Sequence, residues 1–173
     1  AIFTNDDNLA NLLNSLKVHG KGTNKYDNVR IGLNSRLDTM QAAVLQVKFE
    51  ALVAYELDRV NEAATLYTNE LEGAVITPLV PEGFYSSWAQ YTIILESSAQ
   101  REKVQRALQE KGIPTMVYYP KPMHKQQAFI DLGYAQTNLE TQALCNTVLS
   151  LPMHPYITKE QIKTVCDELK KCL

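Results

Sequence analysis

Apolar residues recur at helical spacing through most of this chain, interrupted by a few short β-rich runs. Leu9, Leu12, Leu13 and Leu16 mark one face of a helix that follows the turn Asn5-Asp6-Asp7 and ends near His19-Gly20. Ahead of it, residues 1–4 read as a short strand. Residues 20–31 are polar and carry Gly22, Asn24, Asp27 and Asn28, which predicts a surface loop. Residues 36–71 contain neither Pro nor Gly. Leu37, Met40, Val44 and Val47 form one stripe there, and Leu45, Phe49 and Leu52 a second, which predicts a helix buried on more than one side. Beyond Tyr55 the pattern turns more polar, with Glu56, Asp58, Arg59, Asn61 and Glu62 outward and Val60, Ala63, Ala64 and Tyr67 inward. One kinked helix and two stacked helices both fit.

After Gly73 the elements shorten. Strands are expected at 75–77, 88–95, 113–119 and 149–152. Helices are expected at 98–111, 125–132 and 139–148, and from a Thr158/Gln161 capping box to about Lys171. Too few long crossovers are present for a doubly wound sheet, so this part reads as α+β, a small, mostly antiparallel sheet with helices on one side.

The segment Gly32-Leu33-Asn34-Ser35-Arg36-Leu37-Asp38 lies between the polar loop and the longest periodic run. Ser35 with Asp38 reads as a capping box that starts a helix at about Arg36. A helix start favours an anion. Asn34 adds a neutral amide donor, and Arg36 a forked cation suited to phosphate or carboxylate. A plain N-cap beside a solvated arginine is the alternative. In Tyr118-Tyr119-Pro120-Lys121-Pro122, two phenols lie at a strand end, a setting that suits sugars or nucleobases. A half-buried structural tyrosine pair is the competing reading.

Composition narrows the field. A net charge of -2 over 173 residues gives no reason to expect nucleic acid or an acidic membrane surface as partner. No apolar run approaches bilayer-spanning length, and no signal-peptide pattern is present. Cys145, Cys166 and Cys172 are odd in number and lack ligand spacing, as in a reduced, cytoplasmic protein. No metal-binding pattern is present in the histidines His19, His124 and His154, and Walker, GxGxxG, HExxH and CxxC signatures are absent. The start at Ala1, directly in strand-like residues, suggests a piece of a longer protein.

Several segments together resemble the C-terminal part of the DegT-type nucleotide-sugar aminotransferases. These are pyridoxal-phosphate (PLP) enzymes of fold type I, the aspartate-aminotransferase fold. The segments are residues 1–6, Val18-His19-Gly20, Ile31 to Asp38 with Gln41-Ala42-Ala43, Ala89-Gln90-Tyr91-Thr92, Tyr119-Pro120, and Leu149-Ser150-Leu151-Pro152-Met153-His154-Pro155. The resemblance implies a remnant of the large PLP-binding domain over 1–35, and the long connecting helix and small C-terminal domain over 36–173. It implies a homodimer in which Asn34 reaches the partner's cofactor phosphate. Arg36 would face an acidic group on the substrate, and Tyr118 and Tyr119 would contact the sugar; relatives often have His where Tyr118 stands. The implied reaction moves an amino group from glutamate to a nucleotide-linked keto-sugar. The likeness is strongest to enzymes acting at C3 of a UDP-2-acetamido-3-keto-glucuronate, a precursor of surface polysaccharide.

In that family the Schiff-base lysine lies shortly before the segment matching Ala1, and the acid pairing the pyridine nitrogen lies farther upstream. Lys17, Lys21 and Lys25 follow the first strand and do not stand in for it. No catalytic residue is therefore assigned, and the chain alone is expected to be inactive and to self-associate through uncovered helix faces. Two alternatives stand beside this reading: a sibling dehydratase using the same cofactor, and a non-catalytic module that binds a nucleotide-sugar or dimerises.

Overall fold

The computed structural model describes residues 1–24, 27–133 and 139–173, so Lys25 lies outside it. The chain divides into two compact units, Ala1–Ala51 and Leu52–Leu173. That division falls inside the long helical run, whereas the sequence reading drew its boundary at 35/36. Each unit is described by itself.

In the first unit, α1 (Asp7–Leu16) is capped by Asp6, whose carboxylate accepts from the amides of Asn8 and Leu9. Residues 1–4 form no strand: they are exposed, and no partner among the described residues supplies a ladder. After α1 the chain turns through His19, at φ 60°, and Gly20, at φ 76°. It then returns so that residues 33–35 pair with residues 16–19. His19 N–H donates to Leu33 O (2.9 Å), Leu33 N–H to Leu16 O (2.8 Å) and Ser35 N–H to Lys17 O (3.0 Å). The two passes are so close that a Cβ on Gly20 would lie 1.8 Å from Arg30 O, and one on Gly32 would lie 2.2 Å from Gly20 N. Only glycine fits either place.

The second helix, α2 (Thr39–Ala51), begins three residues later than the capping-box reading placed it. Ser35 is not the cap, because its amide is held in the extended pairing with Lys17. Asp38 caps instead, accepting from Gln41 N–H at 2.9 Å. None of the 13 residues of α2 is buried. The expected burial on two sides is therefore not met within this chain, and Leu37, Met40, Val44, Val47 and Phe49 are exposed.

The second unit opens on a π-turn, Leu52–Glu56, followed by α3 (Leu57–Leu71). Neither sequence option, kinked or stacked, named this turn. β1 (Tyr91–Ile94) pairs antiparallel with β2 (Val148–Leu151) in a two-stranded sheet. The strands expected at 75–77 and 113–119 reduce to single bridges at its edges, Ile76 to Ile94 and Met116 to Ser150. Around the sheet run α4 (Ser98–Glu110), a 3-10 turn at Met123–Lys125, α5 (Gln127–Ile130), α6 (Leu139–Thr147) and α7 (Lys159–Lys170). Ser97 caps α4, and the Thr158/Gln161 capping box opens α7 as expected. The α+β reading of this unit therefore holds in outline, with a smaller sheet.

The core lies on one face of that sheet. Tyr91 and Ile93 of β1 and Leu149 and Leu151 of β2 meet Tyr67 and Leu71 of α3, Val104 and Leu108 of α4, and Ile162, Val165 and Leu169 of α7. Tyr67 stacks on Tyr91 at 4.9 Å. Its hydroxyl donates to Pro152 O at 2.9 Å, which satisfies a polar tip that burial would otherwise make costly. Burial drives the phenol of Tyr67 well above its ordinary value, and pushes the thiol of Cys166 up to about 12. The pleat turns Thr92 and its partner Ser150 together, and their hydroxyls share a 2.8 Å hydrogen bond.

Candidate functional site

The crossing at Gly20 and Gly32 fixes where Asn34 emerges. Asn34 pairs with Val18, and the two backbone bonds flanking that pair, at Leu33 and Ser35, hold it extended. Asn34 and Arg36 are exposed, and neither side chain makes a hydrogen bond or ion pair among the described residues. An amide and a guanidinium that are solvated and unengaged can meet an anion without first breaking an internal contact. The helix start does not add to this pair. It lies beyond Asp38, whose carboxylate already occupies the first-turn amide of Gln41.

Tyr118 and Tyr119 belong to the second unit. Tyr118 is half exposed and lines a recess of about 200 Å³ together with Gln90, Thr115, Met116, Ser150 and Met153. Tyr119 is 68% exposed and does not line it. The floor of the recess is the bridge in which Met116 and Ser150 exchange backbone hydrogen bonds of 3.1 and 2.8 Å. Gln90 precedes β1 directly, and the turn before it is unusual. Trp88 sits at φ 46°, a conformation a bulky residue enters only when its surroundings hold it there. Asn61 holds it: its Oδ1 accepts from the Trp88 indole N–H at 2.9 Å, and its Nδ2 donates to Ser86 O and Leu57 O.

A second cluster escaped the sequence reading. Glu56, placed there on the polar outside of the helix, is buried at 5% exposure. Tyr156 donates to its Oε1, and the Tyr55 and Tyr156 hydroxyls lie 3.4 Å apart. The hydrogen bond to Glu56 raises the Tyr156 phenol well above its ordinary value, with Tyr55 adding to the effect. The Arg59 guanidinium lies 4.7 Å from the Tyr55 ring centroid and 5.9 Å from that of Tyr156. Tyr55 and Arg59 at i, i+4 gave a local signal for part of this; nothing local links Glu56 to a residue 100 positions away. Arg59 and Tyr156 line a groove of about 990 Å³ with Asn61, Glu62 and Lys159. Among the described residues, no group of three or more His, Cys, Asp or Glu could hold a metal ion, and no helix is long and apolar enough to cross a membrane.

The chain is similar to several known proteins. Over 173 aligned residues the chain is 43% identical to a pleiotropic regulatory protein of Geobacillus stearothermophilus, a match covering 97% of this chain and 45% of that one. It is 40% identical to the UDP-2-acetamido-2-deoxy-3-oxo-D-glucuronate aminotransferase of Pseudomonas aeruginosa, covering 98% of this chain and 45% of the relative. Among solved structures, a DegT DnrJ EryC1 StrS aminotransferase from Brucella abortus superposes with a TM-score of 0.86 at 42% identity. That match covers 98% of this chain and 44% of the other. The chain thus spans about 45% of the length of the curated relatives it matches, a share of length that carries no position along it. The family model for the DegT/DnrJ/EryC1/StrS aminotransferases matches residues 1–170, and the chain belongs to that family.

Proposed function

We propose that these residues form part of a PLP-dependent enzyme that transfers an amino group from glutamate to C3 of a UDP-2-acetamido-3-keto-glucuronate. The products are 2-oxoglutarate and the 3-amino sugar, the latter a precursor for surface polysaccharide. The observation that carries this reading is the Asn34–Arg36 segment, held at a fixed place by the glycine crossing with both polar ends unengaged. The 40% identity to the Pseudomonas aeruginosa enzyme supports the choice of sugar.

When bound, PLP supplies the chemistry that carries the amino group between donor and acceptor. The residues present fit the ends of that group and of the substrate. In a homodimer Asn34 donates an amide hydrogen bond to the partner's cofactor phosphate, and Arg36 pairs with a carboxylate of the substrate. Tyr118 and Tyr119 offer flat faces and phenolic tips to the sugar. The anchoring lysine lies outside these 173 residues, so the chain alone transfers nothing.

The test is made on the full-length parent. Purified protein is expected to carry PLP and to form 2-oxoglutarate from glutamate only when the keto-sugar is present. Asn34→Ala is expected to weaken cofactor retention by about tenfold or more, the scale of one lost charge-assisted hydrogen bond. A parent that binds no PLP, or an Asn34→Ala variant that retains it as tightly as the wild type, would overturn the reading. A full spectrum of bound cofactor from the 173-residue chain alone would refute the placement of the lysine.

A further inference from the structure

The recess beside Tyr118 has no charged lining residue among the described ones. Pro114, Pro152, Met116 and Met153 give it apolar walls, and Gln90, Thr115 and Tyr118 give it polar edges. The side chains of these three make no hydrogen bond among the described residues, so their donors and acceptors are unspent. Ser150 is different, its hydroxyl already sharing a bond with Thr92. The site is also braced. Its floor is the Met116–Ser150 bridge, and the turn leading to Ala89 and Gln90 is pinned by the indole of Trp88 on Asn61.

At about 200 Å³ the recess is smaller than sites that bury a whole small molecule, which run to roughly 300–1,000 Å³. It suits one substituent. A carboxylate or phosphate entering it would lose water with no cation in the lining to replace it. A lone hydroxyl would leave the methionine and proline walls uncovered. A neutral acylamino group has one N–H, one C=O and a methyl, which match an amide, hydroxyls and apolar walls in turn.

We infer that this recess is the seat of the 2-acetamido group of the nucleotide-sugar, and the place where the enzyme distinguishes 2-acetamido from 2-hydroxy sugars. The inference rests on the aminotransfer reading above and adds to it the residues that set substrate choice. The experiment compares kcat/KM of the full-length enzyme for a UDP-2-acetamido-3-keto sugar and for its 2-hydroxy counterpart. The wild type is expected to prefer the acetamido sugar by about tenfold or more, the range a matched polar pocket gives. Filling the recess with Ala89→Leu, or with Thr115→Ile should the first variant not fold, is expected to cut that ratio by about tenfold. A ratio unchanged within about twofold in a folded variant overturns the inference.

A binding arm separates this from failure of the aminotransfer reading. Calorimetry on the same full-length proteins compares UDP-N-acetylglucosamine with UDP-glucose. A wild-type preference that Ala89→Leu removes supports the recess even where neither keto-sugar is aminated, and equal affinity for both probes in the wild type refutes it.

Discussion

The two compact units solve the same problem in opposite ways. In Leu52–Leu173, helices α3, α4 and α7 close over one face of the sheet, and Tyr67, Leu71, Leu108, Leu149 and Leu169 are fully buried. In Ala1–Ala51 no apolar side chain among the described residues is buried, although the segment is no less apolar in pattern. What organises the first unit is backbone: a capped helix, two glycines and the short pairing of residues 16–19 with 33–35. Burial makes the second unit sensitive to volume. The first is sensitive to conformation and is left with apolar faces that only other surfaces can cover.

Core truncation should break this comparison most visibly. Leu108→Ala is expected to destabilise the 173-residue chain by about 2–5 kcal/mol in urea unfolding. Met40→Ala, on exposed α2, should stay within about 0.5 kcal/mol. Equal effects would show that α2 is covered in solution. Next in size is Asn61→Ala, which removes the acceptor from the Trp88 indole and releases the left-handed turn; a loss of about 1–3 kcal/mol is expected. The two helix caps give a matched pair, one per unit. Thr158→Ala should cost about 1 kcal/mol of cooperative unfolding. Asp6→Ala should instead lower helicity by circular dichroism without moving that transition.

The smallest expected effect is alkaline. The Tyr67 phenol is raised in the folded state above its ordinary value of 10.0. Its contribution to stability is therefore complete below pH 10 and declines as pH rises beyond it. The wild type should lose denaturant resistance as pH rises above 10, and Tyr67→Phe should lose less. Cys166, pushed up to about 12 by burial, should resist alkylation at pH 8 in the folded chain and react on unfolding.

Local signals carried the helices well. The caps at Asp6 and Thr158 depend on residues within three positions, so the sequence alone locates them; Ser97, equally local, was not named. The same logic misplaced the start of α2, because Ser35 and Asp38 are both good caps and a distant pairing with Lys17 decided between them. Strands were over-read at 1–4, 75–77 and 113–119. β-Rich residues show that a segment can extend, but a ladder needs a partner that only tertiary structure supplies. At the candidate site, the sequence singles out Asn34, Arg36 and Tyr118 by residue type, and the structure leaves all three exposed. The burial of Glu56 was not legible, since it depends on the π-turn and on Tyr156 far along the chain.

The crossing of Gly20 and Gly32 has a consequence for how this stretch can vary. Neither glycine can acquire even a methyl group without forcing two strands of backbone apart, whereas a Cβ on Gly22 would press mainly on the Val29 side chain, 2.8 Å away. A saturation library over residues 16–36 should return its strongest intolerance at positions 20 and 32, where the clash is with backbone, and a milder one at Gly22, where it is with a side chain. The address at which Asn34 is displayed would then be encoded by two side chains that consist of a single hydrogen atom.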